Sequence, residues 1–348
     1  MAYISYNGKI LTRSSKWVDY STVGPVLPPY TIRMRFTEGV TPSFWAGTLT
    51  QVSASPNVWD LTYENSSWSY LLERQTDMLE ILGANITGVT NLRALASRCS
   101  NLTSVALFDT STVEDMSEMF DKCSRLTTVP PFNTPNLTSC FGMFSDCTNL
   151  ASVPLFDTSR CVSFARMFEY CRSLTSVPLF DTSNGTAMFA MFRACNSLTS
   201  IPLLDTPKVT EMPSMFYSCT SLTSVPMLDT SKVTTMENMF AGCGSLTAIP
   251  LLDTSSVVTM NNMFNDCTAL TSVPLLDTSS CTSMDNMFSR CLRVQSGALA
   301  LYQQASTQAT PPASHSATFQ YCGYSTDPSA PIHAELAQIP TSWGGTMA

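Results

Sequence analysis

Histidine is nearly missing from this chain: His315 and His333 are the only two in 348 residues. Without an imidazole to take their protons, the many serines, threonines and cysteines lack the usual base for nucleophilic catalysis. Charge is sparse too, at 13% of residues, and 18 Lys+Arg against 26 Asp+Glu leave a formal net charge of -8. No basic stripe runs through the sequence, which argues against a surface built to contact nucleic-acid phosphates. No apolar run approaches the roughly 18 residues of a membrane-spanning helix, and no glycine-rich phosphate loop is present. Residues 1–15 carry neither the apolar segment nor the small-residue cleavage site of a secretory leader.

What the sequence has instead is a period. Met119-Phe120, Met143-Phe144, Met167-Phe168, Met191-Phe192, Met215-Phe216, Met239-Phe240, Met263-Phe264 and Met287-Phe288 recur every 24 residues without a slip. Cysteine follows three residues after each Phe, from Cys123 to Cys291, and Cys99 marks an earlier unit with Leu95-Ala96 in the Met-Phe slots. A fixed period of this length is the signature of a solenoid, whose units bury their apolar faces only by stacking. About nine units are expected.

Two local patterns alternate within a unit. Met236, Met239, Phe240, Cys243 and Leu246 have the spacing of an amphipathic helix of about two turns, with Thr234 and Glu237 spaced as a capping box. The Leu-Thr-Ser-Val-Pro stretch is β-branched and ends in a residue without an N–H, so it reads as a parallel strand of three or four residues. Its Leu, Val or Ile, and the next Leu are expected to point inward. Asp-Thr pairs, Asp157-Thr158 to Asp277-Thr278, are expected to form the turn between strand and helix. The fold class is therefore α/β, a leucine-rich-repeat solenoid of strand-turn-helix units.

The run C-x-x-L-x-x-V-P followed by D-T-S-x-V-T-x-M-x-x-M-F-x-x-C resembles the BspA-type leucine-rich repeats, over about residues 86–291. The resemblance implies a surface-exposed bacterial protein or a virion protein of a phage or prophage of gut bacteria, and it implies no shared catalytic motif. The terminal segments Met1–Lys9 and Ala334–Gly345 are also similar to those of gut-phage proteins with this repeat.

The ends differ in kind from the repeats. Tyr3, Ile4 and Tyr6 lead through Asn7-Gly8 to Ile10, a strong hairpin signal, and residues 1–22 are expected to be an anchor. The proline-rich stretch 23–29 reads as an extended linker. Residues 30–85 form a β-rich cap with strands at 30–36, 43–53 and 58–63 and a helix at 71–82. Trp17, Trp45, Trp59 and Trp68 are expected to fill its core rather than to stack on sugars. The solenoid then spans 86–291, and 292–348 is a C-terminal cap with a helix at 297–306 and a strand at 318–322.

Thirteen cysteines invite a disulfide or zinc reading, and the columns argue against both. Nine lie in one column three residues from a buried Phe, and free Cys is among the most buried residue types. Cys140 stands in a column of Met, Cys161 and Cys281 in a column of Val; only Cys322 lies outside the register. Buried thiols and assembly in a reducing compartment are expected. The recurrent Asp is expected to form turns, with calcium bound along the Asp column as an alternative. No metal or cofactor is assigned.

Function follows as non-enzymatic display. The expectation is a phage virion protein of fibre, decoration or receptor-binding type, anchored to other virion proteins by its N-terminus and holding the solenoid toward a host surface protein or glycan. It has no nucleic-acid partner or membrane insertion, and trimerisation remains open. A BspA-like bacterial surface adhesin is the alternative, and a carbohydrate-active enzyme the remote one. The candidate binding face is the hydroxyl array Thr175, Ser176, Thr199, Ser200, Thr223, Ser224, Thr271 and Ser272 on the exposed sheet.

Overall fold

The computed structural model describes residues 5–6, 9–11, 17–19, 27–323 and 330–345. Strands β1 (Ser5–Tyr6), β2 (Lys9–Leu11) and β3 (Trp17–Asp19) form an antiparallel sheet in that order. Ser5 pairs with Ile10 and Tyr6 with Lys9; Tyr3, Ile4 and the Asn7-Gly8 turn lie outside the described residues. A second sheet orders β5 (Thr48–Ala54), β6 (Asn57–Thr62), β4 (Thr31–Phe36), β7 (Met78–Asn85) and β8 (Ser104–Val105). Its first three contacts are antiparallel, but β7 and β8 run parallel, and this switch starts the solenoid. The described end of the linker is tied down: the Asn85 side chain donates to the Leu27 carbonyl at 2.8 Å.

A parallel ladder of isolated bridges runs from rung to rung, one residue per unit: Ser67, Asn91, Asp115, Ser139, Ser163, Ala187, Glu211, Thr235, Thr259, Ser283 and Ser314. It begins inside the stretch expected to be a cap and ends beyond residue 291. Trp68, Leu71 and Leu72 fill the slots of Met116, Met119 and Phe120 in this earlier rung and are fully buried. The helix expected at 71–82 is therefore absent: turns lead into β7.

The repeat helices are absent as well. Residues 116–126 form successive turns: Met119 N–H bonds to Met116 C=O, Asp121 to Glu118, Cys123 to Phe120 and Leu126 to Cys123. The alternate N–H groups leave the unit, Glu118 donating to Phe141, Phe120 to Met143 and Lys122 to Ser145. Glu118 and Lys122, the third residues of the Met116–Met119 and Phe120–Cys123 turns, have φ of 57° and 60°, the positive-φ signature of type II turns. The turns starting at Glu118 and Cys123 lack it, and such a positive-φ pair recurs in every rung. A chain of these turns brings i, i+3, i+4 and i+7 to one side as an α-helix does, so the apolar spacing fits both. What separates them is the partner of every second N–H, which the next rung supplies. The expected capping box disappears with its helix; Thr234 Oγ1 donates to the Thr210 carbonyl at 3.2 Å instead.

Side chains inside stack rung on rung. Phe120, Phe144, Phe168, Phe192, Phe216, Phe240, Phe264 and Phe288 form one column with centroids 5.0 to 5.9 Å apart and nearly parallel rings. Phe108, Phe132, Phe156 and Phe180 begin a second column, continued by Leu204, Leu228, Leu252 and Leu276. Strand spacing of about 4.8 Å sets the repeat of both, and offset stacking suits rings held at that pitch.

At the C-terminal end, helix α1 (Ala298–Thr307) is inserted between the last two rungs, where 297–306 was expected. Gly297 precedes it at φ 95°, and a side chain there would strike the Val273 carbonyl. Glu335 of helix α2 (Pro331–Leu336) accepts from the Gly297 and Leu299 N–H groups at the N-terminus of α1. No strand forms at 318–322; this stretch is the turn segment of the last rung, with Thr318, Phe319 and Cys322 fully buried. Trp68 is core and Trp59 half-buried, but Trp45 is 66% exposed and packs edge-on against Tyr63, so these three are only partly interior; the Trp17 side chain lies outside what is described. Among the described residues no helix is long and apolar enough to cross a membrane.

Candidate functional site

All eight hydroxyl residues singled out, Thr175, Ser176, Thr199, Ser200, Thr223, Ser224, Thr271 and Ser272, are exposed. Thr223 N–H bonds to the Thr199 carbonyl at 3.1 Å and Thr271 N–H to that of Thr247 at 3.2 Å. The hydroxyls of Thr223 and Thr271 donate to the same carbonyls, each at 3.2 Å. Their protons thus serve the stack, leaving lone pairs toward solvent. The expected three- or four-residue strand contracts here to an isolated bridge, Ser272 with Ser296, and to β8 near the N-terminal end. Proline after Val removes the next donor, so the ladder cannot propagate.

The residue after that proline was expected inside and is not. Leu179, Leu203, Met227, Leu251 and Leu275 are 57–68% exposed, and Leu155 is 36% exposed. It is the following residue, Phe180 or Leu204, that enters the core. These six form an apolar stripe down the solenoid, four residues past the Thr column and two before the Asp column. The sequence held the signal: alternation counted back from a buried Thr puts Asp out, Phe180 in and Leu179 out. Reading Thr as a turn residue leaves that count without an anchor.

Each Asp-Thr pair divides its work. Thr158, Thr182, Thr206, Thr230 and Thr254 are buried and donate to the Asp carbonyl of the next rung at 2.6 to 2.8 Å. The carboxylates of Asp157, Asp181, Asp229 and Asp253 face outward and accept from the N–H and hydroxyl of the Ser two residues on. Those Ser hydrogen bonds hold the carboxyls of Asp181, Asp229 and Asp253 below the ordinary range. The column is a line of outward-facing carboxylates flanking the stripe. Among the described residues no group of three His, Cys, Asp or Glu side chains converges on a common point.

The cysteine column is interior. Nine thiols, Cys99 to Cys291, donate to the carbonyl of the Phe-slot residue one rung back at 3.0 to 3.1 Å. Burial pushes the Cys99 and Cys243 thiols up to about 12, away from the thiolate form that reacts. Cys322 joins this column rather than lying outside it, buried beside Cys291. The spacing Phe319-x-x-Cys322 carried that information, hidden by the inserted helix. Carboxylates also gather on the turn face, where the remote enzymatic alternative would need them. They are matched by cations: Glu118 with Arg93, Asp121 and Asp146 with Lys122, and Glu169 with both Arg166 and Arg193.

The repeats match the family model described as "Mycoplasma protein of unknown function, DUF285" over residues 70–176, 139–246 and 210–309. No curated protein matches the chain. A leucine-rich repeat protein from Eubacterium ventriosum is similar in structure at 19% identity, with 60% of this chain and 61% of that one covered and a TM-score of 0.37. This chain thus spans about three fifths of that protein's length. A T. pallidum leucine rich repeat protein gives 16% identity, 68% and 81% coverage and a TM-score of 0.29. A leucine rich cell surface protein from Faecalibacterium prausnitzii gives 17%, 78% and 99%, and 0.27. With overlapping matches across most of its length, and the stacked 24-residue unit beneath them, the chain belongs to the DUF285 repeat family.

Proposed function

We propose that this chain is a non-catalytic adhesion protein that binds a partner along the stripe from Leu155 to Leu275. The exposed apolar column carries the reading. Six aligned Leu and Met side chains, 36–68% exposed, make a continuous patch of the kind that marks interaction surfaces. The flanking carboxylates set the chemistry of the partner: a protein surface with an apolar ridge beside lysines or arginines. Salt would slow its capture, because exposed charges steer encounter and are screened. The rigid stack supplies preorganisation, since no side chain of the stripe must be ordered from a mobile loop.

The N-terminal sheet of β1, β2 and β3 is our candidate attachment module, through Tyr3, Ile4, Tyr6, Asn7, Gly8 and Ile10. A virion is the proposed carrier, with the bacterial surface as the alternative; immunogold labelling of particles and of cells separates the two.

Labelled protein is incubated with panels of bacterial and animal cells, untreated, protease-treated or periodate-treated. Adhesion that is lost on protease treatment and reduced tenfold or more by Leu203→Asp or Met227→Asp supports the stripe and a protein ligand. Loss on periodate treatment makes the ligand a glycan. Full adhesion of both stripe variants rejects this face. Thr199→Lys and Thr223→Lys test the neighbouring hydroxyl column in the same assay.

A further inference from the structure

We propose that Cys140 and Cys161 form a disulfide that staples two neighbouring rungs. Their Sγ atoms lie 2.9 Å apart in the core, and both residues are fully buried. The pair differs from the cysteine column in that each sulfur faces another sulfur; Cys161 Sγ also lies 3.3 Å from the Leu137 carbonyl, a longer contact than the one to Cys140. Cys140 occupies the column held by Met116, Met188 and Met260, and Cys161 the column held by Val209, Val233 and Val257. These two columns touch at an offset of 21 residues, and only here does cysteine fill both. Cys281, the other cysteine of the Val column, meets Met260 at that offset. Closing to a bond of about 2.05 Å requires the sulfurs to approach by about 0.9 Å from their 2.9 Å separation.

The reaction needs an electron acceptor, and a low-molecular-weight disulfide supplies it. One thiolate attacks the reagent, expelling a thiolate and leaving a mixed disulfide; the second cysteine attacks the protein sulfur of that intermediate and expels the other half. Two cysteine thiols and one reagent disulfide become one cystine and two reagent thiols, with two electrons passed to the reagent. Burial of both sulfurs places this step during folding, before the rungs close. The bond then reports the compartment in which the chain folded: present outside a reducing cytoplasm, absent within it.

Full-length protein is refolded with oxidised and reduced glutathione, denatured, alkylated and digested with trypsin. Cleavage after Arg125, Arg160 and Arg166 puts Cys140 and Cys147 in peptide 126–160 and Cys161 in peptide 161–166. The expected product is these two peptides joined, two hydrogens lighter than their sum, with eleven of the thirteen cysteines alkylated. Cys140→Met and Cys161→Val, which restore residues those columns carry elsewhere, abolish the linked species, and Cys147→Ala retains it. Dithiothreitol lowers the thermal midpoint of the oxidised wild type and leaves both abolishing variants unmoved. Thirteen alkylated cysteines after oxidative refolding, or a linked species that survives Cys140→Met, overturns the assignment.

Discussion

Phe288 stacks on Phe319 with centroids 6.0 Å apart and rings 5° from parallel, although 31 residues separate them where 24 separate every earlier pair. The seven extra residues are taken up where helix α1 is looped out, so that the next rung lands in register. Packing of the Phe column, rather than spacing along the chain, defines the repeat. Phe319→Ala removes the terminal ring, and a buried Phe→Ala costs about 3–5 kcal/mol. Because a solenoid's stability is a sum over neighbouring units, the loss should appear in urea unfolding as early fraying of the C-terminal end. Cooperative unfolding at an unchanged midpoint counts against it.

Ala190 and Ala194 hold φ of 53° and 57°, where a Cβ costs about 1–2 kcal/mol. Glycine removes that strain and gives back about 0.5–1 kcal/mol in chain entropy. Ala190→Gly also removes a buried methyl, worth about 0.8 kcal/mol, so the net change should be close to zero and the urea midpoint should hardly move. A helix at this segment would lose the methyl and about 1 kcal/mol of helix propensity with no strain relieved, so a clear drop in the midpoint would count against the turns.

Thr206 is buried and donates to the Asp229 carbonyl at 2.8 Å. Thr206→Val keeps the shape and strands that carbonyl, at a cost of about 1–3 kcal/mol. Thr206→Ser, which keeps the hydroxyl, should recover most of it. Equal denaturation midpoints for the two variants would show that the hydroxyl is dispensable.

Burial raises the thiols of Cys99 and Cys243 from 9.0 to about 12, and that of Cys281 to about 11. The unfolded chain releases these protons first, so the native state binds more protons above pH 9 and its stability falls as pH rises. The contribution is whole below about pH 9 and is lost between 9 and 12. Unfolding midpoints measured from pH 7 to 11 should be level and then decline, with a shallower decline in Cys243→Ala. A level profile through pH 11 would count against the buried ladder.

Much of the core was legible in the sequence. A 24-residue period with Met-Phe and Cys columns leaves no other way to bury those residues than stacking, and Phe120 to Phe288 lie where the columns put them. Even the reading of Cys140 and Cys161 as hydrophobe substitutes places both inside. The Thr-Ser pairs are exposed, as alternation along the strand places them.

Two things the sequence alone did not determine. The apolar spacing of Met236 to Leu246 is common to an α-helix and to a run of successive β-turns, and the choice rests on alternate N–H groups finding carbonyls in the next rung. That partner lies 23 residues away, beyond any local pattern. The direction of Leu179 and its column-mates depends likewise on the core, which takes Phe180 and buries the Thr182 hydroxyl against the neighbouring rung. Composition and period determined that a stack must form; the hydrogen bonds between rungs decided which apolar residues it leaves in solvent, because only the assembled neighbours satisfy the backbone.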